Sequence, residues 1–171
     1  VDGWRRAFLC DVVPLFHELC ERFELGIQLE LSYKNGWGAG PLAEALSQGR
    51  SGDMKARSTL VGPHRADFEI GRDGVRAADT LSRGQLKIVN LALVLAQLRA
   101  SARLGVSPVL CLDDIGAELD GDFLLRVWQE VLGSNVQVLA TGINVGRTGL
   151  ESSWFQDATV FHVKHGSIES Q

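Results

Sequence analysis

The sequence predicts an α/β fold, in which helices pack on a mostly parallel sheet. Residues 4–23 place apolar side chains at helical spacing, and residues 86–103 are apolar around most of a helical circumference. Residues 109–112 form a short apolar run that ends in Asp113 and Asp114. Such a run is typical of a strand that is buried on both faces of a parallel sheet.

Helical and extended segments alternate over the first third of the chain. The helix over 4–23 is expected to end at Gly26, because glycine favours helix ends. Apolar and polar residues alternate over 27–33, which indicates a half-buried strand. A short helix is expected over 42–46, followed by a polar segment over 47–53.

Turn signals mark the segment that follows. Residues 59–61 predict a strand or an extended segment that ends at Gly62 and Pro63, so that His64 and Arg65 lie on a loop. Their pattern leaves three roles open, which are contact with a nucleotide, a subunit interface, and folding alone.

The remaining elements are a hairpin, two helices and two strands. Asp73 and Gly74 at the centre of 68–75 predict the hairpin. The helix over 86–103 is expected to be buried, and the helix over 123–132 to turn one face to the core. That face is expected to comprise Val127, Trp128, Val131 and Leu132. The predicted buried strands are 136–140 and 159–163, and the closing turn is 164–166.

The composition is typical of one compact module. With 171 residues, 45% of them hydrophobic and 22% charged, the chain is long enough for one sizeable core with an appended subdomain. No apolar run reaches the ~18 residues of a membrane helix, and no secretory segment is recognised. We therefore expect a cytoplasmic protein without a membrane partner. Cys10, Cys20 and Cys111 lie apart in apolar stretches, which predicts reduced core thiols.

The formal net charge of −4 does not by itself indicate a nucleic-acid-binding protein, since such proteins are usually basic. Basic residues nevertheless cluster in one third of the chain, namely Arg50, Lys55, Arg57, Arg65, Arg72 and Arg76. They could contact phosphates, although a solvated surface is the more common role of such a cluster. The residues that would bind DNA are not assigned by the sequence.

Ser82 stands three residues before Gln85, which is the spacing of a capping box. The same helix start, with Gly84 allowing close approach, would present amides and a positive dipole end to a phosphate. From these residues alone, capping is the more common of the two roles. The apolar run that ends in Asp113 and Asp114 favours phosphate, because ligands of parallel sheets bind beyond the carboxyl ends of the strands.

Asp113 and Asp114 suit chemistry at such a strand end. One carboxylate can hold Mg²⁺ directly or through water, and its neighbour can orient or deprotonate an attacking water. For Asp114, capping of the next turn is nearly as common a role. A Mg²⁺-dependent nuclease would use the two residues as paired metal ligands. That interpretation gives residues 82–85 no functional role.

Three blocks of sequence resemble the RecF family, which is related to ABC-type and SMC-type ATPases. In chain order they are Val61-Gly62-Pro63-His64-Arg65-Ala66-Asp67, Leu81-Ser82-Arg83-Gly84-Gln85-Leu86-Lys87 and Leu112-Asp113-Asp114-Ile115-Gly116-Ala117-Glu118-Leu119-Asp120. The Gly-Pro-His-Arg block is the most specific, because the wider ABC group lacks it. Weaker similarity extends over nearly the whole chain.

The resemblance implies a role for each block. The signature that contacts ATP bound by a second subunit would be Ser82, Arg83, Gly84 and Gln85. Asp113 would be the carboxylate of the Mg²⁺ site, and Asp114 the catalytic carboxylate. Glu118 and Asp120 would belong to a loop that communicates between subunits, with His64 and Arg65 at the interface or near the nucleotide. ATP would thus be sandwiched in an ATP-dependent homodimer.

The chain departs from the general ABC pattern at several positions. Arg83 replaces the usual second glycine of the signature, which is the RecF-like form, and its guanidinium could pair with phosphate oxygens. Asp114 is one methylene shorter than the usual glutamate, which predicts slow hydrolysis. Thr141 and Gly142 stand where many relatives place a histidine. No Gly-x-x-x-x-Gly-Lys-Ser/Thr phosphate loop is present, so we expect the chain to be a fragment.

The resemblance refines the predicted fold to a partial P-loop (ABC-type) ATPase lobe with a helical arm subdomain. The arm is expected over 1–58, and the ATPase part with the signature and Walker B motifs over 59–171. The implied cofactors are ATP and Mg²⁺, and the implied partners are single- and double-stranded DNA and the RecO and RecR mediators. The implied function is ATP-dependent binding at single-strand gaps or junctions that helps load recombinase in replication and repair, with weak ATPase activity. The alternative is a nucleotide-independent interaction module that keeps the fold.

Overall fold

Helices and strands alternate along the chain in a computed structural model, which describes residues 1–116, 120–134, 136–142 and 158–170. The helices are α1 (Asp2–Arg22), α2 (Leu42–Ala56), a 3₁₀ helix (Pro63–Arg65), α3 (Ala77–Thr80), α4 (Arg83–Arg103) and α5 (Gly121–Leu132). The strands are β1 (Glu30–Lys34), β2 (Asp67–Arg72), β3 (Val75–Arg76), β4 (Val109–Leu112), β5 (Gln137–Ala140), β6 (Phe161–Lys164) and β7 (Ser167–Ser170). The chain divides into two compact units, Val1–Pro108 and Val109–Gln171.

The first unit is built around α1 and α4, which are 21 residues long each and pack against one another. The apolar residues of α1 recur three and four positions apart, so they form one stripe along the helix. The buried members of that stripe are Val12, Leu15, Phe16, Leu19 and Cys20. Helix α4 is buried along much of its length through Val89, Ala92, Leu93, Leu95, Ala96, Leu98 and Ala100. The two predicted helices are therefore confirmed.

An antiparallel sheet of β1, β2 and β3 completes the first unit. Tyr33 pairs with Phe68 between the first two strands. The predicted hairpin is confirmed, and its loop has positive φ at Asp73 (52°) and Gly74 (77°). Two adjacent residues with positive φ form the tight turn that matches the twist of the flanking strands.

Helix α2 corrects the prediction of a short helix followed by a polar segment. It continues from Leu42 to Ala56 and has no buried residue. The glycines of this segment lie where a neighbouring segment approaches the helix. Hypothetical Cβ atoms at Gly49 and Gly52 would lie 3.6 Å from Val61 Cγ2 and 3.5 Å from Leu60 Cδ1. The segment of Leu60 and Val61 therefore lies beside the glycine positions of the helix, a tertiary contact that the local sequence does not reveal.

The second unit contains β4 and β5, which pair in parallel as predicted, with Leu110 opposite Val138. Their predicted burial on both faces is wrong. Leu110 is buried, whereas Val109 is 50% exposed and Leu139 is 56% exposed. Successive side chains of a strand point to opposite faces, so one face of this pair is covered and the other is open within the described part of the chain.

Helix α5 and the terminal hairpin follow the predicted order with three corrections. Val127, Trp128 and Val131 are buried as expected, but Leu132 is 47% exposed. Strand β6 begins at Phe161 and is exposed instead of buried. It pairs with β7, a strand that the sequence analysis missed. The predicted turn over 164–166 is confirmed, with positive φ at His165 and Gly166.

The three cysteines are free thiols, but only one of them lies in the core. Cys20 is buried on α1, and desolvation raises the pKa of its thiol to about 11. Cys10 and Cys111 are exposed, which corrects the prediction of three core thiols. Cys10 lies on the outer face of α1, and Cys111 alternates with the buried Leu110 along β4.

The described helices include none that is both long and apolar enough to cross a membrane. The predicted division into an arm over 1–58 and an ATPase part over 59–171 stays a prediction. The two compact units meet in sequence between Pro108 and Val109, at the start of β4.

Candidate functional site

The start of α4 carries the predicted signature residues. The amide of Gln85 donates to Ser82 Oγ at 3.2 Å, and the amide of Ser82 donates to Gln85 Oε1 at 3.0 Å. This is a complete capping box, so the predicted capping role is confirmed. Because the hydroxyl of Ser82 uses only an acceptor position in the box, its hydrogen is still available as a donor.

Further donors at this helix start face outward. The first amides of a helix have no acceptor within the helix, and the capping box satisfies those of Ser82 and Gln85. The amides of Arg83 and Gly84 remain, together with the positive end of the helix dipole. A hypothetical Cβ at Gly84 would meet no atom within 4 Å, so an anion has room to approach the backbone. The arrangement is suited to binding a phosphate group.

Asp113 and Asp114 lie at the carboxyl end of β4, where the sequence analysis expected them. Thr141, which directly follows the neighbouring strand β5, connects them. Thr141 Oγ1 donates to Asp113 Oδ1 and accepts from the amide of Asp114 at 3.0 Å. The amide of Thr141 also donates to the carbonyl of Leu112 at 2.8 Å, which extends the pairing of β4 and β5. One hydroxyl therefore bonds to the carboxylate of Asp113 and to the backbone of Asp114.

Thr141 is a site residue to which the sequence alone gives no role. It stands where many relatives place a histidine. The contact joins residues that are 27 and 28 positions apart, so it depends on the parallel pairing of two strands. A hydroxyl-bearing residue at the end of the strand next to an acidic pair is the signal that predicts such a contact.

Replacing Thr141 by valine is expected to lower the free energy of unfolding by about 1 kcal/mol, the usual net contribution of hydrogen bonds of this kind. Valine keeps the branched shape but cannot bond to Asp113 or Asp114. Serine keeps the hydroxyl and serves as the control, with an expected change of less than about 0.5 kcal/mol. Urea unfolding measures both. Equal stability of the valine and serine variants would contradict the bridging role.

The acidic residues at the end of β4 suit a magnesium ion that is completed by other ligands. Mg²⁺ is usually held by one or two carboxylates together with waters and substrate phosphates. Asp113 is exposed and Asp114 half-buried, so carboxylate oxygen is accessible at this strand end. Within the described ranges, no group of three or more His, Cys, Asp or Glu gathers as a metal site. Asp114 has a φ of 46°, a conformation that aspartate and asparagine tolerate better than most residues.

The Gly-Pro-His-Arg block folds as a 3₁₀ turn that several contacts hold in place. His64 Nε2 lies 2.9 Å from the carbonyl oxygen of Thr59, and Arg5 Nη1 donates to the carbonyl of Pro63 at 2.6 Å. The amide of Gly62 donates to the carbonyl of Gly36 at 2.9 Å. Both His64 and Arg65 are exposed on this turn. Their predicted place at an interface or near a nucleotide stays a prediction.

The predicted residues fall into the two compact units. Residues 82–85, His64 and Arg65 belong to the first unit, and the acidic residues of β4 belong to the second. Asp120 is the N-cap of α5, where its Oδ1 accepts from the amide of Phe123 at 2.7 Å. Glu118 lies outside the described residues. The role of Asp120 in communication between subunits is not tested by this cap.

Curated proteins with similar sequences carry one name. The chain is 35% identical to the DNA replication and repair protein RecF of Saccharophagus degradans. That alignment, gaps included, runs over 179 residues and covers 98% of this chain and 48% of that protein. It is 40% identical over 149 residues to RecF of Stenotrophomonas maltophilia, which corresponds to 85% of this chain and 40% of that protein. It is 29% identical to RecF of Vibrio atlanticus over 99% of this chain and 47% of that protein. The chain thus spans about half the length of the curated relatives it matches, and no family model matches it.

Solved structures with the same fold are also RecF structures. The recombination mediator protein RecF-ATPrS in the RecFOR pathway aligns with a TM-score of 0.72 at 24% identity, covering 97% of this chain and 45% of that one. RecF-ATP from the same pathway aligns with a TM-score of 0.72 at 23% identity, and the alignment covers 100% of this chain and 46% of that one. The likeness shows a shared fold, which confirms the predicted α/β class and is consistent with a partial P-loop ATPase lobe.

Proposed function

Since nearly the whole of this chain is RecF-like, we propose that it acts in an ATP-dependent DNA-binding protein of replication and recombinational repair. The observation that carries the proposal is 35% identity across 98% of the chain. The helix start at Ser82 and the acidic strand end at Asp113 support it, because they offer complementary chemistry. One provides outward donors for a phosphate, and the other provides carboxylates for a metal ion.

The start of α4 contacts ATP that a second copy of the protein holds. The hydroxyl of Ser82 and the amides of Arg83 and Gly84 donate to oxygens of the terminal phosphate. The guanidinium of Arg83 pairs with a further phosphate oxygen, for which its planar donor geometry is suited. Gln85 keeps the helix start in shape through the capping box. ATP is therefore sandwiched in a homodimer that forms when nucleotide binds.

The carboxyl end of β4 provides the hydrolytic groups. Asp113 holds Mg²⁺, which when bound neutralises charge that develops on the transferred phosphate. Asp114 orients the attacking water and accepts its proton. The hydroxyl of Thr141 keeps both aspartates in position through its contacts with the Asp113 carboxylate and the Asp114 amide. The short side chain of Asp114 makes hydrolysis slow.

The proposed partners follow from the relatives, two of which are described in the RecFOR pathway. We assign binding to single-stranded and double-stranded DNA at gaps or junctions, cooperation with RecO and RecR in loading recombinase, and a cytoplasmic location. Glu118 and Asp120 belong to the loop that communicates between the two subunits. His64 and Arg65 lie on the exposed turn of the first unit. The arm subdomain over 1–58 and the ATPase part over 59–171 complete the proposed organisation.

Replacing Asp114 by asparagine in the full-length protein is expected to slow ATP hydrolysis by about 100-fold or more, since a positioned general base contributes about that much. Asparagine tolerates the positive φ at this position, so the fold is retained. The ATP-bound dimer should therefore persist longer. Phosphate release and light scattering with ATP and Mg²⁺ measure the two effects.

The matched control is Asp122→Asn, which makes the same chemical change at an exposed position in the first turn of α5. Its turnover is expected to equal that of the unsubstituted protein. Unchanged turnover in Asp114→Asn would remove Asp114 from the catalytic role. Absence of ATP-driven dimerisation in the unsubstituted protein would overturn the proposed function itself.

A further inference from the structure

An open groove of 790 Å³ crosses the first unit beside the Gly-Pro-His-Arg turn. Its polar lining is basic and aromatic, and among its lining residues none is acidic. The basic residues are Arg6, Lys34 and Arg65, and the aromatic residues are Tyr33 and Trp37. Asn35, Gly36, Gly38, Leu60 and Val61 complete the walls. A groove that combines cationic side chains with aromatic faces matches the surfaces that bind single-stranded nucleic acid.

The loop that carries Trp37 is held by its own hydrogen bonds. Asn35 Oδ1 accepts from the amides of Trp37 and Gly38 at 3.0 and 2.9 Å, and Asn35 Nδ2 donates to the Gly38 carbonyl at 2.8 Å. The indole Nε1 of Trp37 donates to the carbonyl of Gly40 at 3.3 Å. The ring is half-buried and is therefore presented in one orientation with part of its surface open. A pre-oriented aromatic ring binds a planar partner with less loss of conformational entropy.

Two of the three basic side chains already have acidic partners. Arg6 Nε lies 2.9 Å from Asp2 Oδ2, while its guanidinium carbon lies 5.2 Å from the centre of the Tyr33 ring. Lys34 Nζ lies 2.5 Å from Glu69 Oε1. Both are exposed ion pairs, which contribute little and leave the side chains accessible. Arg6 and Lys34 therefore add positive potential that is partly compensated.

Arg65 has no ion pair among the described residues, and its side chain is exposed at the groove. Its backbone is fixed, because its amide donates to the carbonyl of Gly62 at 2.9 Å and Gly62 is bonded to Gly36. Gly36 directly precedes Trp37, so this backbone contact joins the turn of Arg65 to the loop of the indole. An uncompensated cation and a half-buried indole thus line the same groove.

We infer that this groove binds single-stranded DNA, with a base stacked on Trp37 and an adjacent phosphate paired with Arg65. A duplex fits less well, since its bases already stack on one another and are not free to cover the indole. An acidic peptide would satisfy Arg65 but leaves the indole without a planar partner. Trp37 and Arg65 would then carry out part of the DNA binding that the proposed function requires. The groove itself is defined by its own lining residues, independently of that function.

The test measures the anisotropy of a labelled thymidine oligonucleotide of about eight nucleotides, within the usual range of such sites. ATP and Mg²⁺ are omitted. Trp37→Ala is expected to weaken binding by about 5- to 100-fold, the usual effect of losing one stacked base, whereas Trp37→Phe retains most of it. An unlabelled duplex of equal length and free thymidine triphosphate should compete poorly. Effective competition by either one would overturn the assignment to a single strand.

A second comparison, of charge, sets Arg65→Gln beside Arg103→Gln, an exposed arginine in the last turn of α4 that lies outside the groove. Losing one phosphate contact to a single strand lowers the magnitude of the slope of log affinity against log salt by about 0.7, and we expect this for Arg65 but not for Arg103. Equal slopes in the two variants would overturn the pairing of Arg65 with phosphate. If the unsubstituted protein binds the oligonucleotide and the Trp37→Ala variant binds it equally well, the assignment of DNA binding to this groove is wrong, while the proposed function is unaffected. Binding by the unsubstituted protein that appears only after ATP and Mg²⁺ are added would overturn the groove and leave the proposed function standing. If that protein binds no DNA either without or with ATP and Mg²⁺, the DNA part of the proposed function fails as well.

Discussion

Alanine at Gly36 is expected to lower the free energy of unfolding by about 3–5 kcal/mol, in the upper range for a single substitution. A Cβ at this position would lie 2.3 Å from the carbonyl oxygen of Gly62, 2.6 Å from the amide nitrogen of Ala66 and 2.6 Å from the carbonyl carbon of Arg65. All three are backbone atoms, so no side chain can rotate to relieve the overlap. Gly36 also has a φ of 91°, which is strained for any residue with a Cβ.

Gly38→Ala provides the matched control in the same loop. Its φ of 81° is equally unfavourable for alanine, but a Cβ there would meet no atom within 4 Å. It should lose only about 1–2 kcal/mol, the penalty for the left-handed conformation. Denaturant unfolding of both variants separates steric overlap from backbone strain. Equal losses in the two variants would show that the close approach of Gly36 to the Gly-Pro-His-Arg turn does not stabilise the fold.

Ser82→Arg in the full-length protein is expected to abolish ATP-driven dimerisation while leaving nucleotide binding by the monomer nearly intact. In the proposed dimer Ser82 touches only the ATP of the partner subunit, and a long side chain would occupy the space of its phosphate. The substitution also removes the N-cap of α4, at a cost of about 0.5–2 kcal/mol in stability. Light scattering with ATP, beside a nucleotide-binding titration, measures the two outcomes.

Ser82→Asp separates the loss of the cap from the loss of phosphate contact. Aspartate is as good an N-cap as serine, so α4 should keep its start. Its carboxylate lacks the donor hydrogen and repels the phosphate, so dimerisation should still be lost. Dimerisation of the aspartate variant at the level of the unsubstituted protein would contradict the role of Ser82 in contacting ATP.

Features that depend on near neighbours could be predicted from the sequence. The capping box at Ser82 and the hairpin at Asp73 involve residues a few positions apart, and the apolar stripe of α1 follows from helical periodicity. The end of β4 at Asp113 was predicted in the same way, from an apolar run that stops at a charge. The motif blocks also predicted the relatives correctly. In each case the chemistry of a short segment determines the local geometry.

Tertiary structure alone decided the features that join distant segments. Thr141 contacts Asp113 from 28 positions away, and Gly36 meets Gly62 across a loop of the first unit. The groove around Trp37 exists because that contact places two turns side by side, and the open face of β4 depends on what covers each side of the strand. These contacts form only after chain entropy has been lost in closing long loops. Periodicity and spacing report which residues share a face, but they carry no information about which distant backbone arrives opposite it.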